Sequence, residues 1–236
     1  DSGTSKIEAF DVDPYAIALT TRLIHEPDSW NLPRKFKIAM SNDDNDTAFT
    51  QATCLGYVAT IKDGQKGFKV YCAGGMGAKP MMGNLLVDFI PDTKVYHVAR
   101  AIKTMFDKHG NRRSKFSSRI KFLWKKLQRE EFVKLFHQYY DEIKDDESLN
   151  LEIEPIDNSA KETDLPVEDV SGEAFELWKK RYVFEQKQDG LVSVKLPLEL
   201  GDLFREDADK LADFLQHFGD NTMRCARAQN IRLRNI

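Results

Sequence analysis

Lys35 and Lys37 are the residues of this chain whose types and spacing most directly suggest chemistry. They lie in the run Leu32-Pro33-Arg34-Lys35-Phe36-Lys37-Ile38, which we predict to enter a strand directly from a proline. Because side chains alternate across a strand, both ammonium groups share one face while Phe36 and Ile38 point to the core. Such a pair could neutralise a small oxyanion or the carboxylates of a cofactor. The alternative is an exposed edge strand that its lysines protect from aggregation.

A glycine-rich bend follows a predicted strand at residues 67–73. It contains Gly74, Gly75 and Gly77, with Lys79 immediately beyond. Glycines lack Cβ and admit positive φ, so a flat ligand could lie against the main chain here. The spacing matches neither the dinucleotide nor the P-loop fingerprint, so no nucleotide site is predicted. An ordinary turn is the alternative.

A third segment is rich in cations. Asn111, Arg112 and Arg113 follow a predicted helix, and Arg119 and Lys121 are expected inside the next helix. Guanidinium groups pair well with carboxylates, so this cluster could also meet an anion. Its alternative is a helix C-cap at Gly110 followed by cations that the helix dipole favours.

The elements that must position these segments predict an α+β fold. Helical spacing of apolar residues alternates with short strands, and the turn at residues 62–67 predicts a hairpin. In the part of the chain before residue 145, helices are predicted at residues 13–24, 92–108, 116–127 and 130–144, and strands at 36–41, 56–62 and 67–73.

The remaining residues predict a linker and a second domain. Residues 145–171 are acidic and contain prolines, with little periodicity, as is typical of a solvated linker. After them the order strand, strand, helix, strand predicts half of a split β-α-β arrangement. We therefore predict domains at residues 1–150 and 172–236, separated by an acidic linker at 151–171; the elements of the second are strands at 182–188, 191–196 and 222–233 and a helix at 208–218.

Composition and cysteine usage exclude several classes of protein. A net charge of −3 gives no electrostatic footprint for nucleic acid, and no apolar run is long enough to span a membrane. Cys54, Cys72 and Cys225 form no metal-ligand spacing, and neither do the histidines, so no metal site is predicted. Unpaired cysteines suit a reducing cytoplasm better than secretion.

The three segments, in this order, resemble the siroheme-dependent nitrite and sulfite reductases. The similarity runs through residues 32–37, the Gly74-Gly75-Met76-Gly77 loop and residues 110–123, and resumes at 184–190 and 223–233. It implies a siroheme-contacting mixed α/β domain followed by a second, incomplete ferredoxin-like half domain.

The resemblance also implies an activity. Members of the family catalyse the six-electron reduction of nitrite or sulfite at siroheme coupled to a 4Fe-4S cluster, with electrons from a donor such as ferredoxin or a flavoprotein. The resemblance implies that Lys35 and Lys37 are the catalytic residues, which bind the anion and help to supply protons. It also implies a cofactor-binding set whose cations face the carboxylates of the macrocycle: Gly74, Gly75, Gly77, Lys79, Asn111, Arg112, Arg113 and Arg119.

The chain departs from the family pattern in two ways, and both bear on whether it is active alone. The four cluster cysteines of the family follow the strand near residue 233, and none is present here; the first ferredoxin-like half is also missing. We therefore expect a middle piece of a longer oxidoreductase, catalytically silent alone. The alternative is a cofactor-free anion-binding or assembly module that retains the reductase fold.

Overall fold

The computed structural model describes residues 2–77, 79–161, 163, 165–166 and 168–236. Asp1, Ala78 and three residues of the predicted linker, Glu162, Asp164 and Val167, lie outside this part. The chain divides between Ile156 and Asp157 into two compact units, with residues 3–6 belonging to the second. The described residues between 151 and 171 contain neither helix nor strand.

The first unit is built on a mixed four-stranded sheet. Its strands lie in the order β1-β2-β3-β4; β1 is parallel to β2 and the other pairs are antiparallel. The predicted hairpin is confirmed, because Asp63 and Gly64 form its two-residue turn with φ of 52° and 80°. The strands are β1 Ile38–Ser41, β2 Leu55–Lys62, β3 Gln65–Cys72 and β4 Asn84–Pro91.

Strand β4 is an element that the sequence pattern does not reveal. Its pairing with β3 shifts register between Phe68 and Val70 and again between Val70 and Tyr71. A bulge of this kind changes which face of the sheet the following side chains occupy. The apolar residues of β4 therefore do not alternate as in a regular strand.

Three helices complete the first unit: α1 Asp13–Ile24, α2 Val95–His109 and α3 Ile120–Asp141. The predicted helices at 13–24 and 92–108 are confirmed in place. Residues Asp92–Lys94 form a 3-10 helix that leads into α2, and the Asp92 carboxylate accepts a hydrogen bond of 2.6 Å from the Tyr15 hydroxyl. Apolar residues that recur along α2 at helical spacing are buried: Val95, Val98, Ala99, Ile102 and Phe106.

The two helices predicted at 116–127 and 130–144 run together as α3, with a break at Gln128, where φ is 63°. The first of them begins at Ile120 rather than at residue 116. Arg119 is therefore not inside the helix, as predicted, but extended immediately before it, with φ of −73° and ψ of 152°. This difference matters for the site, because an extended residue directs its side chain away from the helix surface.

The second unit is α+β as well. Strands β6 and β7 are both antiparallel to β8, which lies between them, so β6 and β7 are parallel and α5 connects them. This is the predicted split β-α-β arrangement. Its elements are α4 Glu173–Tyr182, β5 Val183–Glu185, β6 Val192–Leu196, α5 Arg205–Leu215, β7 Met223–Ala226 and β8 Asn230–Leu233.

Two predictions for the second unit are wrong. Helix α4 occupies residues where no element is predicted, and the single strand predicted at 222–233 is a hairpin of β7 and β8. The chain reverses there with Gln229 at φ of 57°. Positive φ is expected mainly at glycine, asparagine and aspartate, so a glutamine gives no sequence signal for this turn. No helix among the described residues is long and apolar enough to cross a membrane.

A cluster of charges around the buried Lys103 holds the turn that leads into residues 32–38, the lysine segment. The turn, Pro27–Trp30, is a short 3-10 helix. Lys103 of α2 is only 2% exposed, and its ammonium group donates to the carboxylates of Glu26 and Asp28 and to the Ser29 hydroxyl. Glu26 also accepts from the Tyr96 hydroxyl. The cluster therefore fixes the chain just before Leu32 against α2.

His97 is a second buried polar group of α2. Its Nε2 lies 2.9 Å from the carbonyl oxygen of Asp146, and its Nδ1 is buried without a partner among the described residues. Burial lowers the pKa of His97 below the ordinary value of 6.5. The ring is therefore neutral in the folded protein at neutral pH, with Nε2 as the donor.

Lys103→Met should lower the stability of the first unit by about 3 kcal/mol, because it removes the nearest cation from the Glu26 carboxylate, whose side chain is only 16% exposed. The measurement is hydrogen exchange of α2 amides, which reports the opening free energy of this unit by itself. Lys144→Met, which removes the exposed ion pair with Asp141, is the control and should cost less than about 1 kcal/mol. Equal losses of stability in the two variants would contradict a stabilising role of the Lys103 cluster.

Stability of the first unit should also fall as the pH drops below about 6.5, because the unfolded chain then protonates His97 while the folded chain does not. The slope contributed by this residue approaches about 1.4 kcal/mol per pH unit. His97→Gln keeps a donor for the Asp146 carbonyl but cannot titrate, so its stability should depend less on pH in this range. An unchanged pH dependence in the variant would show that His97 is not the titrating group.

Candidate functional site

The lysine segment is extended but precedes β1. The predicted strand at 36–41 begins only at Ile38, so Lys35 and Lys37 lie outside the sheet. The expected alternation nevertheless holds: both lysines are exposed, whereas Phe36 is half-buried and stacks on Phe106 with ring centroids 5.9 Å apart. The Lys37 carbonyl accepts hydrogen bonds from the amides of Cys54 and Leu55 at 3.0 and 3.1 Å, which anchors the segment beside β2.

The glycine loop is held at both ends by main-chain contacts. A Cβ on Gly74 would lie 2.1 Å from the Gln51 carbonyl oxygen, so only glycine fits this position. Gly75 exchanges two hydrogen bonds with Met81, of 2.8 and 3.1 Å. Gly75 and Gly77 have φ of 155° and 85°, which glycine adopts without strain. Between these contacts, Met76 and Gly77 are exposed.

Lys121 supports this loop from below. It is 1% exposed, and its ammonium group donates to the carbonyl oxygens of Gly75, Met76 and Lys79 at 3.2, 3.3 and 3.0 Å. Burial lowers the pKa of Lys121, and the neighbouring Arg119 lowers it further. The sequence places Lys121 in the cationic segment but does not predict its burial, because lysines are almost never fully buried. Only the tertiary structure shows that it binds the glycine loop from inside.

Arg119 joins the three predicted segments. One terminal nitrogen donates to the Met76 carbonyl at 2.8 Å, and the other lies 3.9 Å from the sulfur of Cys54. The same sulfur lies 4.0 Å from the carbonyl oxygen of Lys35. Lysine segment, glycine loop and the start of α3 therefore meet at Arg119 and Cys54. Cys54 is fully buried, and no pattern in the sequence marks it as part of a site.

The segment at 111–113 is tied to the beginning of the lysine segment. Arg112 donates to the Asn31 carbonyl at 2.7 Å and forms an ion pair with Asp107. Asn111 organises its own loop, since its side chain bonds the Ser117 hydroxyl and the Arg113 amide, both at 2.9 Å. Because the Arg112 ion pair is exposed, it is weak and can exchange for another anion.

The predicted site residues thus divide into three groups. Gly74, Gly75 and Arg119 are inside the junction, with Gly77 at the exposed end of the loop, whereas Asn111 and Arg112 already use their side chains within the protein. Four cations of the predicted set form no ion pair among the residues that the structure describes. These are Lys35, Lys37, Lys79 and Arg113, all of them exposed.

The described residues do not provide ligands for an iron–sulfur cluster. No group of three or more His, Cys, Asp or Glu side chains in this part of the chain could hold a metal ion. Cys54 and Cys72 are buried and Cys225 is exposed, all as free thiols. Burial raises the pKa of Cys72, which disfavours the thiolate that a metal requires.

Comparison with protein-family models identifies both units. Residues 2–144 match the model described as "Nitrite and sulphite reductase 4Fe-4S domain", and residues 184–236 match "Nitrite/Sulfite reductase ferredoxin-like half domain". The first match alone covers more than half of the chain. The chain therefore belongs to the nitrite and sulfite reductase family.

Individual relatives agree with this assignment. The chain is 30% identical over 139 residues to sulfite reductase [ferredoxin] 1 of Mycolicibacterium paratuberculosis, which covers 59% of this chain and 25% of the relative. It is 26% identical to the chloroplastic ferredoxin–nitrite reductase of Zea mays over 241 residues, or 100% of this chain and 39% of the relative. The chain thus spans less than two fifths of the length of these relatives.

A solved structure shows the same fold. The Mycobacterium tuberculosis NirA protein superposes with a TM-score of 0.72 at 22% identity, over 98% of this chain and 38% of that one. This likeness confirms the α+β architecture expected from sequence, with its mixed domain followed by a ferredoxin-like half domain.

Gly74→Ala should destabilise the first unit by about 3 kcal/mol, because the new methyl group must displace main-chain atoms rather than a flexible side chain. Gly64→Ala is the matched control: its Cβ would meet nothing within 4 Å, so only the positive φ costs energy, about 1 kcal/mol. Hydrogen exchange of β2 and β3 measures both. If Gly74→Ala costs no more than Gly64→Ala, the close approach of the loop to Gln51 is not rigid.

Proposed function

We propose that this chain is the substrate-lysine and macrocycle-binding part of a siroheme-dependent reductase that reduces nitrite or sulfite. The observation that carries the proposal is the junction at Arg119 and Cys54, where a lysine pair, a glycine loop and a cationic segment meet. Relatives named as ferredoxin-dependent nitrite and sulfite reductases support the substrate class and a ferredoxin donor.

Several features of the junction fit a large planar ligand rimmed with carboxylates. The Nε atom of Arg119 is buried without a hydrogen-bond partner among the described residues. A Cβ on Gly75 would lie 2.9 Å from the Arg119 guanidinium, so glycine lets this cation pack closely against the loop backbone. Met76 and Met82 are 64% and 62% exposed beside it, and apolar side chains suit the faces of a macrocycle.

Specific residues would hold the ligand. Lys79, Arg113 and Arg119 would pair with its carboxylates, and the main chain of Gly74, Gly75 and Gly77 would face the ring. Arg112 could join them only by releasing Asp107, and Asn111 would act by shaping its loop. When bound, siroheme supplies an iron that receives the anion and passes electrons to it.

Lys35 and Lys37 would act on the anion itself. Removing an oxygen as water requires protons and stabilisation of the negative charge that develops, and two ammonium groups on one face provide both. Both lysines are exposed, so bulk water can return the proton that each gives up. The segment is held by the Lys37 carbonyl and by Phe36, which leaves the two side chains free to move with the reacting anion.

The four-iron cluster in the family description does not fit the described residues, because they offer no group of three or more side chains that could ligate a metal ion. Electron delivery would rely on groups that this part of the chain does not contain. We accordingly expect binding of the macrocycle and of the anion from this chain, and no turnover.

The test is the visible absorption spectrum of the chain after it is expressed in cells that also synthesise siroheme. The wild-type chain should carry the bands of an iron isobacteriochlorin, and sulfite should shift them. The Lys35→Ala, Lys37→Ala double variant should keep the bands but lose at least about tenfold in sulfite affinity, because two charge-assisted contacts are removed.

The Lys179→Ala, Lys180→Ala double variant is the matched control. It removes the same charge from two adjacent exposed lysines of α4 and should respond to sulfite like the wild type. A colourless wild-type chain would contradict macrocycle binding and favour a cofactor-free module. Coloured protein with equal sulfite affinity in all three forms would contradict the role of Lys35 and Lys37.

A further inference from the structure

The orientation of two peptide groups in the glycine loop has a consequence beyond packing. The carbonyl oxygens of Gly75 and Met76 both point inward to the ammonium group of Lys121, and that of Met76 also accepts from Arg119. Every peptide bond in the described chain is trans. In a planar trans peptide the C=O and N–H bonds point in opposite directions. The amides of Met76 and Gly77 therefore point away from Lys121.

These two amides have no acceptor in the part of the chain that the structure describes. Neither N–H group forms a hydrogen bond with any described residue, although the flanking Gly75 amide bonds Met81. Met76 is 64% exposed and Gly77 is also exposed, so a ligand can approach both. Main-chain donors that have no internal partner are strong binding groups for anions.

The third carbonyl bound by Lys121 belongs to Lys79, and the residue after it is Pro80, which has no N–H group. The peptide after Lys79 therefore offers no donor, whereas those after Gly75 and Met76 offer the outward N–H groups of Met76 and Gly77. Their spacing along the chain, one residue apart, allows both to reach the two oxygens of one carboxylate.

Building on the function proposed above, we propose that Met76 and Gly77 form a main-chain carboxylate-binding site and that Lys121 is its positioning residue. By binding the loop carbonyls from inside, Lys121 keeps oxygen atoms off the ligand side and turns N–H groups toward it. The ligand it would take is a carboxylate of the macrocycle.

Charge supports the same assignment. Lys121 is a buried cation that donates to three carbonyl oxygens of the loop, and the guanidinium of Arg119 lies beside it. The loop also faces the N-terminus of α3, where the helix dipole is positive. A carboxylate at the two amides would therefore meet a positive potential that solvent does not fully screen.

The experiment uses uroporphyrin, an iron-free tetrapyrrole rimmed with carboxylates, titrated into the whole chain labelled with 15N-methionine and 15N-glycine. For the wild type, the amide signals of Met76 and Gly77 should move downfield on binding, as expected for donors that gain an anionic acceptor. For Lys121→Met, these two shifts should disappear and the affinity should fall about tenfold, since charge-assisted bonds are lost.

Two variants control for charge and for fold. Lys125→Met removes an exposed lysine one turn further along α3 and should bind within about twofold of the wild type, because its charge is solvent-screened. Lys121→Arg keeps a donor cation and should restore both the affinity and the two amide shifts. Equal losses in Lys121→Met and Lys125→Met would overturn the proposal, because net charge alone would then explain the effect.

Other outcomes separate this proposal from the function on which it rests. If the wild-type chain does not bind uroporphyrin at all, the macrocycle-binding function fails and this site with it. If it binds while the Met76 and Gly77 amides do not respond, only the carboxylate site is wrong. Should Lys121→Met fail to fold, the wild-type and Lys121→Arg amide shifts decide the question by themselves.

Discussion

The buried ammonium group of Lys121 is the interaction on which the candidate site depends. It gathers the carbonyl oxygens of Gly75, Met76 and Lys79 at 3.0 to 3.3 Å, and so sets which side of the loop presents acceptors and which presents donors. A lysine with 1% exposure is costly to desolvate, and hydrogen bonds to carbonyls compensate for the lost water. The conformation of the loop and the charge of the site thus have one common cause.

A second buried lysine, Lys103, holds the chain that leads into the lysine segment. Lys103 binds Glu26, Asp28 and Ser29 and fixes the turn that leads into the lysine segment. Phe36 then packs on α2, and the Lys37 carbonyl binds the start of β2. The main chain around Lys35 and Lys37 is therefore held rigidly, while their side chains remain exposed. Such an arrangement suits groups that must reach a small anion and exchange protons with water.

The sequence supports the fold better than it supports the site. Strong helical periodicity places α1 and α2 correctly, and the Asp-Gly turn places the hairpin of β2 and β3. The errors arise where local signals are weak: β4 has a bulged register, and the hairpin of β7 and β8 turns without a glycine. Family resemblance, carried by ordered motifs, is confirmed by matches to residues 2–144 and 184–236.

By itself, the sequence determined the family, the α+β architecture, and the alternation that exposes Lys35 and Lys37 while Phe36 faces the core. These follow from local periodicity and from motif order. Only the tertiary structure decided that Arg119 precedes its helix, that Arg112 already has an acidic partner, that Cys54 belongs to the site, and that Lys121 is buried beneath the loop. For Cys54 and Lys121 the reason is physical: their burial and hydrogen bonds depend on residues more than forty positions away along the chain, and no local pattern encodes them.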